Sequence, residues 1–171
     1  MSRPPFIADV VALRRNHGRR EALEVAAPLE GMAITGSHVA SGAAVTLAVT
    51  LEAVEGGVVV TGTVSAPFVG ECRRCLGVVS GTISSGVEEI FVKDPEEGET
   101  YPILGDHIDL EPLAREAIVL ALPLAPLCRP DCAGLCPSCG ADLNGGACGC
   151  TPVPKDSRWA ALDVLLPDDP R

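Results

Sequence analysis

The chain has 171 residues, a formal net charge of −10, 47% hydrophobic residues and 3% aromatic residues. That length suits one domain with an appendage rather than two full domains, and the core must be built from valine, leucine, isoleucine and alanine. The acidic balance argues against a broad, sequence-independent grip on bare nucleic acid, which needs a basic face; it suits a basic protein partner instead.

No apolar run approaches the length of a membrane-spanning helix, and the opening MSRPPFIADVVALRR lacks an apolar stretch followed by a small-residue cleavage site. The expected location is the cytoplasm. Residues 1–13 place Phe6, Ile7, Val10 and Leu13 around Asp9, which suits a short helix or an edge segment. The basic cluster Arg14-Arg15-Asn16-His17-Gly18-Arg19-Arg20 follows. It reads as a phosphate contact or as a solvated loop at the mouth of a hairpin, and the acidic remainder favours the loop.

From residue 21 the periodicity is that of strands. Ala22–Val25 leads to Pro28. In 44–52, Val45, Leu47, Val49 and Leu51 share one face, with Thr46, Thr50 and Glu52 opposite. Glu55-Gly56-Gly57 is a hairpin turn, Val58–Val64 the returning strand, and 78–92 a third strand, giving an antiparallel meander. The run KDPEEGE at 93–99 reads as a solvated acidic loop. Asp109-Leu110-Glu111-Pro112 has the marks of a helix start, and Leu110, Leu113, Ala114, Ala117, Ile118 and Ala121 form an apolar stripe that ends at Pro123. The predicted helix, 109–122, should cover one face of the sheet. Asp106, His107 and Asp109 read as loop and cap residues. A last short helix is expected over 156–166, with Trp159, Leu162, Leu165 and Leu166 on one side, packing back on the domain or docking on a partner.

Six of the eight cysteines fall between Cys128 and Cys150. Cys136 and Cys139, in LCPSCG, are two residues apart and closed by glycine, a turn that aims both sulfurs at one centre. Zinc would take two more ligands from Cys128, Cys132, Cys148 and Cys150. Disulfides belong to oxidising compartments, and a redox C-x-x-C is expected beside a thioredoxin-like strand–helix unit rather than in a Gly/Pro-rich loop. An all-cysteine set points to structural zinc, since catalytic sites usually include histidine or carboxylate and keep a position open. His17, His38 and His107 lie far from the segment in sequence. A second pair, Cys72 and Cys75 in ECRRCLG, either completes a further metal site with spare tail cysteines or closes a strand turn as two reduced thiols, the plain turn being preferred. Arg73 and Arg74 project from the same turn and could face RNA or an acidic surface.

Phosphate-cradling, dinucleotide-binding and serine-nucleophile motifs are absent, and nothing points to an enzyme or to a small-molecule substrate.

The order of features resembles one family. F-x-x-D-V-x-x-L from Phe6 to Leu13 is followed by C-x-R-C-L from Cys72 to Leu76. L-x-x-L-x-R-E-x-I-x-L-x-L-P runs from Leu110 to Pro123, then comes C-x-x-D-C-x-G-L-C-P-x-C-G-x-x-L-N with a late C-x-C, and a closing D-x-R-W-A-A-L. Together these resemble the YceD family, bacterial large ribosomal RNA subunit accumulation proteins. The resemblance implies a cytoplasmic factor for synthesis, processing or accumulation of large-subunit (23S) ribosomal RNA, with no catalytic residues to carry over. Its partners would be ribosomal RNA or a pre-large-subunit particle, met directly or through a basic ribosomal protein. An acidic chaperone or adaptor for one newly made basic large-subunit protein is the alternative, and a metal-dependent ribonuclease a third. The expected architecture is α+β: an antiparallel β-sheet or partly closed barrel with flanking helices and a zinc-stapled C-terminal segment. Residues 1–127 would form the core and 128–171 the cysteine-rich segment with the last helix.

Overall fold

A computed structural model describes residues 4–151 together with Arg158, Trp159 and Leu162. It shows a curled, mostly-strand sheet, a half-barrel with few helices. The strands are β1 (Ile7–Asp9), β2 (Arg20–Pro28), β3 (Ser37–His38), β4 (Ala44–Val54), β5 (Gly57–Glu71), β6 (Val78–Val92), β7 (Tyr101–Leu104) and β8 (His107–Asp109). Their order across the sheet is β1-β8-β7-β6-β5-β4-β2, with β3 beside β5.

The alternation in 44–52 gives what it predicts: Val45, Leu47, Val49, Leu51 and Ala53 of β4 are buried. The Glu55–Gly56 turn returns the chain as β5, which pairs with β6 residue for residue from Gly57↔Val92 to Glu71↔Val78. This ribbon is longer than the apolar run 58–64 suggests, because β5 continues through Ala66-Pro67-Phe68. Pro67 is tolerated there because the other edge of β5 pairs with β4 only up to Ser65 and with β3 only from Val69. A missing N–H in that gap removes no bond from that ladder.

The sheet is not a pure antiparallel meander. β7 lies parallel to β6 through Phe91↔Tyr101 and Val92↔Pro102. The contact is only two residues deep, so the loop 93–100 can double back over it, held by the Glu96 N–H donating to Thr100 Oγ1 at 2.8 Å. Phe91 and Tyr101 stack with ring centroids 5.1 Å apart. The opening segment is both things its pattern allowed: edge strand β1 pairs with β8, and the one-turn helix α1 (Val11–Arg14) follows.

The flanking helices reduce to α1 and one longer helix, α2 (Glu111–Ala121). Asp109 Oδ1 accepts from the Glu111 N–H at 2.9 Å, which satisfies one donor of the helix start. Leu110, Leu113, Ala114, Ala117 and Ile118 are buried over β5 and β6, where with Phe6, Leu47, Val58, Val60 and Ile108 they form one apolar core. Pro123 follows at once and prevents continuation. The last helix expected over 156–166 falls mainly outside the described residues; Trp159 and Leu162, which are described, are exposed.

Two four-cysteine clusters as candidate metal centres

The β5–β6 ribbon ends in the turn Cys72-Arg73-Arg74-Cys75-Leu76-Gly77. Its backbone is closed by two bonds, Cys72 N–H to Gly77 O and Leu76 N–H to Cys72 O, both 2.8 Å. Cys136–Ala141 repeats the pattern: Cys136 N–H donates to Ala141 O and Gly140 N–H to Cys136 O, again at 2.8 Å. Each turn needs a left-handed residue after its second cysteine. Gly140 supplies it at φ +73°, whereas Leu76 adopts φ +59° with a branched side chain that is 62% exposed. A non-glycine residue there costs about 1–2 kcal/mol.

These two turns organise the eight sulfurs into two groups. Cys72, Cys75, Cys128 and Cys132 form one, and Cys136, Cys139, Cys148 and Cys150 the other; within each group all sulfurs lie within 4.8 Å of one another. In the first group Cys72 Sγ is 3.8 Å from Cys132 Sγ and Cys75 Sγ 3.7 Å from Cys128 Sγ. Disulfide sulfurs would sit about 2.05 Å apart. A tetrahedron with metal–sulfur arms of about 2.3 Å has edges of about 3.8 Å. The spacing therefore fits four thiolates around one ion. Among the described residues no histidine or carboxylate joins either group.

Electrostatics point the same way. The backbone N–H groups of Cys75 and Cys128 lower the Cys72 thiol to about 6, and those of Cys139 and Ser138 lower Cys136 to about 6. Cys132 is lowered as well, chiefly by the Asn144 amide, whereas hydrogen bonding with Cys132 pushes Cys128 up to about 12, and with Cys139 pushes Cys150 up to about 11. Each group thus favours some thiolates and opposes ionisation of the rest, an opposition that a bound cation relieves.

The surrounding contacts fasten the tail to the sheet. Arg74 donates from Nη1 to Pro130 O at 3.2 Å and to Cys132 O at 2.8 Å, so its guanidinium is occupied in joining turn to tail. Arg73 is exposed, and its backbone N–H donates to Pro126 O at 3.0 Å. Leu135 N–H reaches Arg74 O at 3.2 Å; Gly134 sits at φ +77°, and a Cβ there would also stand a tight 3.0 Å from the same oxygen, which together favour glycine at this crossing. Asn144, in the loop between Cys139 and Cys148, donates from Nδ2 to Cys132 Sγ at 3.4 Å, while its Oδ1 accepts from Ala133 N–H and Arg129. One cluster's loop therefore supports a sulfur of the other.

Sequence spacing identified the Cys136 turn and left its partners open; the structure brings Cys148 and Cys150 to it. Cys128 and Cys132 stand instead beside the mid-chain pair, the grouping with spare tail cysteines that the sequence offered as the less favoured alternative to a plain turn; which tail cysteines join it depends on the ribbon's length and cannot be read from spacing. Asn144 was missed, and the L-N that follows the last C-x-x-C is the only local trace of it. Beside the first cluster lies an open groove lined in part by Ile34, His38, Arg73, Leu76, Val78 and Leu124.

The profile of the family described as "Large ribosomal RNA subunit accumulation protein YceD" matches residues 60–166, more than half of the chain and a span that includes both clusters. An uncharacterized protein of Mycobacterium tuberculosis is 42% identical over 132 residues, 73% of this chain and 63% of the relative. One of Mycobacterium leprae is 35% identical over 176 residues, covering 98% of this chain and 81% of the relative. A Zea mays protein named "Large ribosomal RNA subunit accumulation protein YCED homolog 1, chloroplastic" is 40% identical over 53 residues, 30% of this chain and 18% of its own length. The chain thus spans 63% of the length of the M. tuberculosis relative. No solved structure matches it. No helix of the described residues is long and apolar enough to cross a membrane. The chain belongs to the YceD family.

Proposed function

We propose that the protein is a non-enzymatic factor in biogenesis of the large ribosomal subunit, needed for synthesis, processing or accumulation of its ribosomal RNA, and that each four-cysteine cluster holds a structural zinc ion. The observation that carries the ribosomal role is the family match over 60–166, supported by the name of the Zea mays relative. Zinc is favoured by the all-sulfur, four-fold donor sets, which leave no open position for a reacting water. In this reading residues 1–127 are the β-rich unit and 128–171 the cysteine-bearing segment. Cys72, Cys75, Cys128 and Cys132 join the two, and the metal acts as a fastener rather than a reagent.

A strain lacking the gene should make less large-subunit RNA and fewer mature large subunits under growth stress, and restoring the gene should correct both. Normal levels in the deletion strain would end the ribosomal reading. The net charge of −10 favours a second mode of action, an acidic chaperone or adaptor for one newly made basic large-subunit protein. Pull-down separates the two: a partner retained after ribonuclease treatment supports the adaptor, and one lost with the RNA supports an RNA-bound factor. Uncut precursor RNA after incubation with zinc-loaded protein would dispose of a ribonuclease.

A further inference from the structure

The end of the ribbon opposite the cysteine turn gathers cations from distant parts of the chain. The loop 15–19 is tied to β4 by two backbone bonds, Gly18 N–H to Ala53 O at 2.8 Å and Ala53 N–H to Arg19 O at 3.0 Å. These bring the loop to the β4–β5 turn. From the other side, the register Gly57↔Val92 sets Lys93, the first residue past β6, next to the same turn. The result is a cleft of about 230 Å³ lined by Arg14, His17, Val54, Gly56, Gly57 and Lys93. Arg15 and Arg19, in the same loop as His17, are both exposed.

Three cations elsewhere are neutralised: Arg20 pairs with Glu52, Arg115 with Glu111 and Arg129 with Asp131. Among the described residues, Arg14, Arg15, Arg19 and Lys93 have no carboxylate within ion-pair distance, although Glu55, Asp94 and Asp106 are near in sequence to the cleft-forming segments. Arg14 makes one contact, from Nη1 to Gly105 O at 3.3 Å. On a chain of net charge −10, Arg14 and Lys93 lining one cleft offer an anion a local cationic site.

We propose that the cleft between Arg14, His17 and Lys93 at the Glu55–Gly56 turn binds the phosphate groups of an RNA strand. The proposal rests on the ribosomal reading for its choice of RNA over an acidic peptide. It gives that reading a face. The phosphate site lies on the order of 45 Å along β5 from the cysteine clusters, counting about 3.3 Å per residue, so RNA contact and metal binding can be altered separately.

The test is fluorescence anisotropy of a labelled single-stranded 12-nucleotide RNA against the full chain across a range of salt. Wild type should bind with a salt-dependent affinity. Arg14→Ala/Lys93→Ala should bind about tenfold more weakly, with the log–log salt slope reduced by about 1.4 for two lost single-strand phosphate contacts. Arg115→Ala, a cation away from the cleft, should bind as wild type does, and an unchanged far-ultraviolet strand signal and denaturant midpoint in every variant confirm that the fold is kept. Equal affinity and slope in the double variant would overturn the proposal, as would wild type that does not bind this RNA. Displacement of the RNA by an equal concentration of a poly-glutamate peptide would reassign the cleft to an acidic protein segment, and equal displacement by inorganic phosphate would reassign it to the free ion. Either result overturns the RNA assignment. None touches the ribosomal reading itself, which stands or falls on RNA levels in the deletion strain.

Discussion

The two cysteine clusters begin with turns of the same backbone pattern, yet they do different structural work. Cys136 to Cys150 closes within one short stretch of tail, and its glycine-completed turn is adapted to its own geometry. The other cluster joins sulfurs 60 residues apart, Cys72 on the ribbon and Cys132 on the tail. The extra chain adds only about 1.3 kcal/mol of loop-closure entropy. What the longer closure requires is a folded ribbon that holds Cys72 and Cys75 still and a helix, α2, that ends where the chain can return to them. One cluster shapes the tail; the other fixes it to the sheet.

The comparison can be broken most forcefully by removing metal. A structural zinc contributes on the order of 10 kcal/mol or more to the folding of small zinc-dependent peptides, whereas the sheet's apolar core contains no cysteine. A strong chelator should therefore free the tail and leave the sheet folded: limited proteolysis should cut between 123 and 150 while 4–122 stays protected and the far-ultraviolet strand signal persists. Loss of the strand signal would mean that the core depends on the clusters. The complementary change is Ile118→Ala, which empties a fully buried position under α2. Denaturant unfolding should show a loss of about 2–5 kcal/mol, with metal content per chain unchanged.

Two smaller effects sharpen the comparison. Asn144→Ala removes the amide that donates to Cys132 Sγ and should weaken zinc at the sheet-to-tail cluster by about 10-fold or more, although Asn144 belongs to the other cluster's loop. Competition with a chromophoric chelator measures this, and equal affinity would mean that the clusters are independent. Leu76→Gly should stabilise the protein by about 1 kcal/mol by relieving the left-handed strain, while Gly140→Leu should lose a similar amount. If Leu76→Gly is destabilising, the exposed leucine has a packing role that its 62% exposure does not suggest.

What was legible in the sequence follows the same division between local and distant. The alternation of Val45, Leu47, Val49 and Leu51, the 78–92 strand and the Cys136 turn are set by neighbours a few residues away, and the structure shows them as local chemistry requires; the helix expected from Asp109 starts two residues later, with Leu110 at the N-cap and Asp109 accepting from the Glu111 N–H. The parallel β6–β7 contact, the extension of β5 through Pro67 and the association of Cys72 and Cys75 with Cys128 and Cys132 depend on which strand lies beside which. No spacing along one chain encodes that. The basic cluster at 14–20 shows the same limit, since the cleft that Arg14 and His17 share with Lys93 forms only when the far end of β6 arrives beside them.

Metal content per chain tests the central claim most directly, by elemental analysis of protein purified without chelator. The account predicts two zinc ions in the wild type, one in Cys72→Ser/Cys75→Ser and one in Cys136→Ser/Cys139→Ser. One ion in both the wild type and the Cys72→Ser/Cys75→Ser variant would contradict the sheet-to-tail centre, and none in any of them would remove the metal from the account altogether.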